Sequence, residues 1–291
     1  MAMIKASAQL SLLSFFAFDA SSAECSPQQV QNNKMNNFIL FDEQPSANIP
    51  KSVELTIESR DGFTHSSVSA IFSRCGELIK AEFAKEKNYQ TGSRVLTATY
   101  SAEINKKEYG WKTNLKFDNA MTDTGSKKKT ELFSQQVEGV ILLGKNGVIS
   151  KSGERFEAMT GNLNQIGVAK TSYRFDATGR LLSTDRRGNL RSDNAKTIYE
   201  YDASGRLLQK RSASVLDIYS YDQSGREFSL TSTANYFTIE KTVTTCQEWN
   251  ELGKCILAHQ RITITTPNAK SGVSSVQKHD ATLITSITYW E

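Results

Sequence analysis

The 291-residue chain has only 4 prolines, 4 cysteines, 3 histidines and 3 tryptophans. So little proline excludes a proline-rich linker or a polyproline protein. With no Cys-x-x-Cys and no ligand pattern around His65, His259 or His279, the usual zinc spacings are missing. Nucleophilic catalysis needs a base beside a serine or cysteine, and none of the three histidines lies in a nucleophile elbow. No GxxxxGK[ST] follows a strand to cradle a phosphate. Charge of one sign is lacking too: 35 basic against 31 acidic residues leave a formal +4, which gives little support to nucleic-acid binding. Beyond the first two dozen residues no apolar run approaches the length of a membrane-spanning helix. These absences predict a protein that is not an enzyme, carries no cofactor or metal, binds no nucleic acid and does not span a membrane.

What is present begins with an export signal. The segment "MAMIKASAQLSLLSFFAFDASSAEC" sets Lys5 before an apolar run from Leu10 to Phe18 and ends in small residues. Ser21 and Ala23 suit cleavage before Glu24, so residues 1–23 read as a signal peptide. Cys25, Cys75, Cys246 and Cys255 remain after that cut. An even count in an exported chain predicts two disulfides and a periplasmic or secreted location. Three connectivities are open, and pairing neighbours in sequence gives Cys25 with Cys75 and Cys246 with Cys255. One conflict stands: an ideal hairpin at residues 250–253 sets Cys246 three positions out of register with Cys255.

Three stretches repeat one another: "YRFDATGRLLSTDRRGN" from Tyr173, "YEYDASGRLLQKRSAS" from Tyr199 and "YSYDQSGREFSLTSTA" from Tyr219. Repetition of one supersecondary unit builds arrays rather than a single catalytic core. Within each copy two short alternating strands flank turn chemistry. Asp176, Asp202 and Asp222 can accept hydrogen bonds from backbone two residues ahead, and Gly179, Gly205 and Gly225 can take positive φ, which predicts a type I turn with a glycine bulge. The resulting hairpins pair Phe175 with Leu181 and Tyr201 with Leu207, and set Arg180, Arg206 and Arg226 beside their aspartates. In the third copy Tyr221 faces Glu227 and Phe228 sits one place late, so a shifted bulge is expected there. A looser template also finds "FSRCGEL" at Phe72, "LGKNGVI" at Leu143 and "WNELGKCI" at Trp249, for six hairpins in all.

At these residues the chain resembles the YD-repeat (RHS-repeat) family, as a short exported bacterial member. Phe175-Asp176, Tyr201-Asp202 and Tyr221-Asp222, with the two Gly-Arg-Leu turns at Gly179 and Gly205, carry the match over about a fifth of the chain. The resemblance implies architecture: large members wind many repeats into a shell, and a chain with this few implies an open, twisted sheet presenting a surface. Elsewhere the pattern is also β-like, as in "SVELTIES", "RVLTATYSAEI" and "CILAHQRITITT", with one short helix expected near residues 26–37. The expected fold is therefore all-β, an open twisted antiparallel sheet of successive YD-type hairpins, with partial closure left open. Its divisions are an N-terminal β region at 24–118, a polar loop or linker at 119–130 and a YD-repeat-like β region at 131–291. Exposed edges would need charged residues, or a closing strand from the C-terminus or another molecule.

Two sets of side chains are candidates for binding. Arg180, Arg206 and Arg226 would form a ladder able to meet an acidic partner, or else pair with the neighbouring aspartates. Tyr199 and Tyr219 would offer a stacking face for a glycan if exposed, or else join the core. The expectation is a non-enzymatic envelope protein that binds a protein partner, such as a secreted toxin, through sheet edge or loops, as a periplasmic immunity or adaptor protein. A glycan- or cell-wall-binding module is the alternative, and a hydrolase a distant third.

Overall fold

The structure is a computed structural model that describes residues 25–41, 48–190, 194–267 and 274–290. The leader expected over residues 1–23 lies outside the described residues. Among the described residues one helix, α1 (Pro27–Phe41), precedes β1 (Pro50–Ser59), β2 (Thr64–Phe72), β3 (Leu78–Thr91), β4 (Arg94–Lys107), β5 (Gly110–Asp123), β6 (Lys129–Leu143), β7 (Ile149–Thr160) and β8 (Leu163–Phe175). The chain continues through β9 (Leu181–Gly188), β10 (Ala195–Tyr201), β11 (Leu207–Arg211), β12 (Val215–Tyr221), β13 (Glu227–Asn235), β14 (Ile239–Trp249), β15 (Cys255–Thr266) and β16 (Ser275–Tyr289). Residues 119–123 thus continue β5, and the hairpin into β6 turns at 124–128.

Each strand pairs antiparallel with its neighbours in sequence, and β1 pairs with β16 from Ser52 opposite Thr288 to Ser59 opposite Ala281. The sheet is therefore a closed sixteen-stranded barrel, which corrects the expected open sheet. The physical reason is the accumulated twist and coil of a long meander, which brings the last strand back to the first. The two otherwise bare edges then satisfy each other's hydrogen bonds, so neither needs a charged guard. The C-terminal strand is the closing strand.

The inner face is set by strand alternation. The paired row Leu55, Val68, Phe83, Ala102, Leu115 and Val137 points inward, while Glu54, Glu82, Glu103 and Glu138 on the flanking positions point out. Helix α1 enters the ring at the end formed by the β2–β3, β6–β7, β8–β9, β10–β11, β12–β13 and β14–β15 turns. Its C-terminal residues pack inside on Val53, Phe72, Leu78, Ile104 and Trp111 on one side and on Leu181, Leu207 and Tyr219 on the other. At the opposite end Phe63, from the β1–β2 turn, folds inward onto Ile262, Ile264 and Tyr89. There Lys87 of β3 reaches across the interior to Glu240 of β14.

Both disulfides join the expected pairs, Cys25 with Cys75 and Cys246 with Cys255. The register conflict at the second is absorbed by two irregularities on β14, one between Cys246 and Glu248 and one between Glu248 and Trp249. These bring the Cα atoms of Cys246 and Cys255 to 5.9 Å.

Candidate functional site

All six template matches are hairpin turns at the helix-bearing end, and all six share one backbone pattern. In each, the residue at the aspartate position receives a hydrogen bond from the glycine three places on, and donates its own N–H to the residue after that glycine. The glycines of the three YD copies have φ of 86°, 82° and 79°, and those of the other three fall between 74° and 78°. Each turn is preceded by a one-residue bulge, at Phe72, Leu143, Phe175, Tyr201, Tyr221 and Trp249. The third YD copy keeps that bulge unshifted, with Tyr221 opposite Glu227. Glu227 takes the position of a leucine, and Phe228 turns outward, 43% exposed. The shifted bulge expected there is thus corrected: turn geometry, held by Asp222 and Gly225, sets the register more firmly than side-chain polarity does.

The YD aspartates are fully engaged by their own turns. Asp202 Oδ1 accepts from the backbone of Ser204 and Arg206, both at 2.9 Å, while Oδ2 takes the Arg206 Nε at 2.7 Å. Asp176 and Asp222 repeat this arrangement with Arg180 and Arg226. The Thr178 hydroxyl and the turn amides hold the Asp176 carboxyl far below the usual carboxylate range. For Asp202 the Arg206 amide does most of this work; for Asp222 burial opposes, but the Arg226 amide and guanidinium prevail. Each carboxylate faces its own arginine, and the three do not gather into one cluster among the described residues.

The arginines also reach the next hairpin. Arg180 lies over the ring of Tyr201 at 5.3 Å, Arg206 over Tyr221 at 4.6 Å and Arg226 over Trp249 at 4.4 Å. In return Tyr201 Oη donates to the Leu181 carbonyl at 2.9 Å, Tyr221 Oη to the Leu207 carbonyl at 2.7 Å and Trp249 Nε1 to the Glu227 carbonyl at 3.3 Å. Trp111 Nε1 makes the matching bond to the Leu78 carbonyl at 2.8 Å. The arginine ladder is thus an internal stitch of cation–π and hydrogen bonds between hairpins. Tyr199 faces inward with its ring 5.7 Å from that of Phe38, and Tyr219 is 7% exposed in the same cluster. Both candidate tyrosines are core residues against the helix.

The apolar residue two places after four of the six turn glycines lines the ring around α1, while Glu227 and Cys255 take that place in the other two. Leu78, Ile149, Leu181 and Leu207 are all nearly inaccessible. The helix itself docks through four asparagines. Asn32 and Asn36 donate to the carbonyls of Asn146 and Gly147 at 2.6 and 3.0 Å; Asn33 and Asn37 donate to those of Cys75 and Gly76 at 2.8 and 2.7 Å. The spacing i, i+1, i+4, i+5 places two pairs on adjoining helical faces, one for each turn. Ser26 Oγ caps the Gln29 amide, and Pro27 occupies the first helical position. Sequence reasoning missed this role, although the run "NNKMNN" is its signal.

Outside the barrel a groove crosses the strands. Its first part, about 820 Å3, spans β1 to β6 along the outer side of the Leu55–Val137 row. Its second, about 530 Å3, continues over β5 to β9. Glu54 and Glu103 line one half, Lys112, Arg155 and Lys170 the other, with Glu138 on β6 among the basic residues. These six make no ion pair among the described residues. Inside, beneath the C-terminus of α1, lies a chamber of about 380 Å3 lined by Phe41, Phe83, Tyr100, Thr113, Glu154 and Tyr173. Glu154 is bound there by Arg186 at 3.0 Å.

No protein-family profile and no curated protein matches the chain. Among solved structures, a porin-like protein from Bacteroides uniformis is similar at 9% identity and a TM-score of 0.42, over 82% of this chain and 97% of that one. A TcdB2-TccC3-TEV structure is similar at 10% identity and a TM-score of 0.20, over 74% of this chain and 18% of that one. Neither likeness is close enough to transfer a function.

Proposed function

We propose that this chain is a non-enzymatic, water-soluble protein of the periplasm or extracellular space that binds an extended, charged segment of a partner protein across its outer groove. The observation that carries the reading is the run of six unpaired ionic side chains along the groove: Glu54 on β1 and Glu103 on β4, then Lys112 on β5, Arg155 on β7 and Lys170 on β8, with Glu138 on β6 the one acid in the basic half. Eight strands at about 4.8 Å spacing give roughly 34 Å, the length of about ten extended residues. A partner segment basic at one end and acidic at the other would complement the groove, which favours orientation and specificity over raw affinity. Closure of the barrel removes edge pairing as a binding mode, and the inward tyrosines leave no sugar platform at Tyr199 or Tyr219. No helix among the described residues is long and apolar enough to cross a membrane. The same six charges argue against insertion as a barrel, since each Arg or Lys on a lipid-facing wall costs roughly 2–4 kcal/mol at the bilayer midplane. Two disulfides fit an envelope or secreted protein.

The test uses two peptides of equal composition, one with lysines and glutamates in separate halves and one with them alternating. Fluorescence anisotropy should find tighter, salt-sensitive binding of the segregated peptide. Glu54→Lys with Glu103→Lys should abolish it, as should Arg155→Glu with Lys170→Glu, and the four changes together should restore it with the peptide reversed. Equal binding of both peptides, or no response to the charge reversals, refutes the reading.

A further inference from the structure

The described part of the barrel end opposite α1 carries exposed apolar tips together with cations. Its tips expose Leu163 (76%) with Met159 (50%) on the β7–β8 hairpin, and Phe237 (98%) with Tyr236 (68%) on the β13–β14 hairpin. In and beside its described turns stand Arg60, Arg94, Lys127, Lys128 and Lys129 against Asp61 and Asp123. Both acids are occupied. Asp61 holds His279 at 2.6 Å, and Asp123 accepts the amides of Gly125 and Ser126. The three consecutive lysines are exposed and form no ion pair among the described residues. Lys127 keeps a φ of 58°, a left-handed conformation that glycine would adopt more readily. Aromatic and aliphatic tips on the same rim as unpaired lysines are the chemistry of a headgroup-level contact: apolar side chains enter the acyl boundary while cations meet lipid phosphates.

We infer that this rim docks the barrel end-on upon an anionic lipid surface. The contact is peripheral: tips enter the interface and the charged wall stays in water, with the outer groove free. Each lysine near such a surface strengthens binding about fivefold at low salt, so the run contributes on the order of a hundredfold.

The experiment is flotation of the full mature chain with vesicles of phosphatidylcholine, with or without phosphatidylglycerol, at low and raised salt. The protein should float with the anionic vesicles alone and lose association as salt rises. Lys127→Gly with Lys128→Gln and Lys129→Gln should weaken it by roughly a hundredfold, and Phe237→Ser with Leu163→Ser should also release it. Phe228→Ser, on the barrel wall, should float like the parent. Circular dichroism confirms that each variant folds, and the glycine at 127 suits the turn. Equal flotation on neutral vesicles, none on anionic ones, or an equal loss in the wall variant would overturn the inference. Retention only on protein-bearing envelope fragments would overturn it in favour of a protein partner.

Discussion

The asparagine clamp makes a quantitative prediction at Asn36. This side chain is 1% exposed and uses both ends of its amide: Nδ2 donates to the Gly147 carbonyl and Oδ1 accepts the Ile149 amide at 2.8 Å. Asn36→Ala strands one buried acceptor and one buried donor. Each costs roughly 1–3 kcal/mol, so the variant should lose roughly 2–6 kcal/mol of unfolding free energy. That is a large part of the 5–15 kcal/mol typical of a folded domain. Asn32→Ala releases the Asn146 carbonyl and the exposed Gln28 side-chain amide, which water can satisfy, and should cost about half as much. Asn36→Asp turns a donor into a carboxylate facing a carbonyl; its stability should therefore recover as pH falls and the acid takes a proton. Urea unfolding measures the free energies, and amide exchange at Ile149 reports the local release. If Asn36→Ala matched Gln29→Ala, a change on the exposed face of α1, and Ile149 stayed protected, the clamp would not hold the helix.

Other expectations follow from the turn ladder and the core. Tyr201→Phe and Tyr221→Phe each remove one hydrogen bond to a neighbouring hairpin and should cost about 1 kcal/mol, read from urea midpoints. Gly167→Ala should destabilise strongly, since a Cβ there would lie 1.8 Å from the Phe156 ring, and a melting temperature equal to the parent's would contradict the packing. Burial raises the phenols of Tyr89, Tyr100, Tyr173 and Tyr201 in the fold, so their contribution is complete below pH about 10 and is lost as pH rises beyond it. Asp176, Asp202 and Asp222 are depressed, so theirs is present above pH about 4 and lost as pH falls further. A pH series of thermal melts should show both flanks. From loop length, Cys25–Cys75 with a separation of 50 stabilises by about 4 kcal/mol and Cys246–Cys255 with a separation of 9 by about 2.5 kcal/mol; separate serine replacements should rank in that order.

The hairpins were legible because their determinants are local. An aspartate that caps its own turn and a glycine that takes positive φ act within five residues, so a single copy suffices to predict the geometry. The loose template worked for the same reason: Ser73 and Asn250 cap their turns as the aspartates do. Closure was not legible, because no residue encodes it alone. It emerges from twist summed over sixteen strands, and nothing in "SVELTIES" or "ATLITSITYW" marks them as partners. The inward tyrosines follow from closure, since an open sheet leaves its faces undecided between core and surface.

Closure also changes what the repeats are for. In an open array, Arg180, Arg206 and Arg226 would be a surface; here each is fixed between its own aspartate and the next aromatic ring, and Leu181 and Leu207 beyond the first two glycines pack in one cluster with Phe38 of the helix. The repeats therefore serve as a collar that grips α1, and the collar is complete only because Leu78 and Ile149 supply the same position from turns without the YD sequence. The proposed binding is therefore placed on the unpaired charges of the outer groove and the tips, away from the engaged arginines of the copies. The regularity that first draws attention to these copies marks the scaffold, and the engagement of its turn aspartates, arginines and aromatic rings with one another is what argues against its being the binding surface.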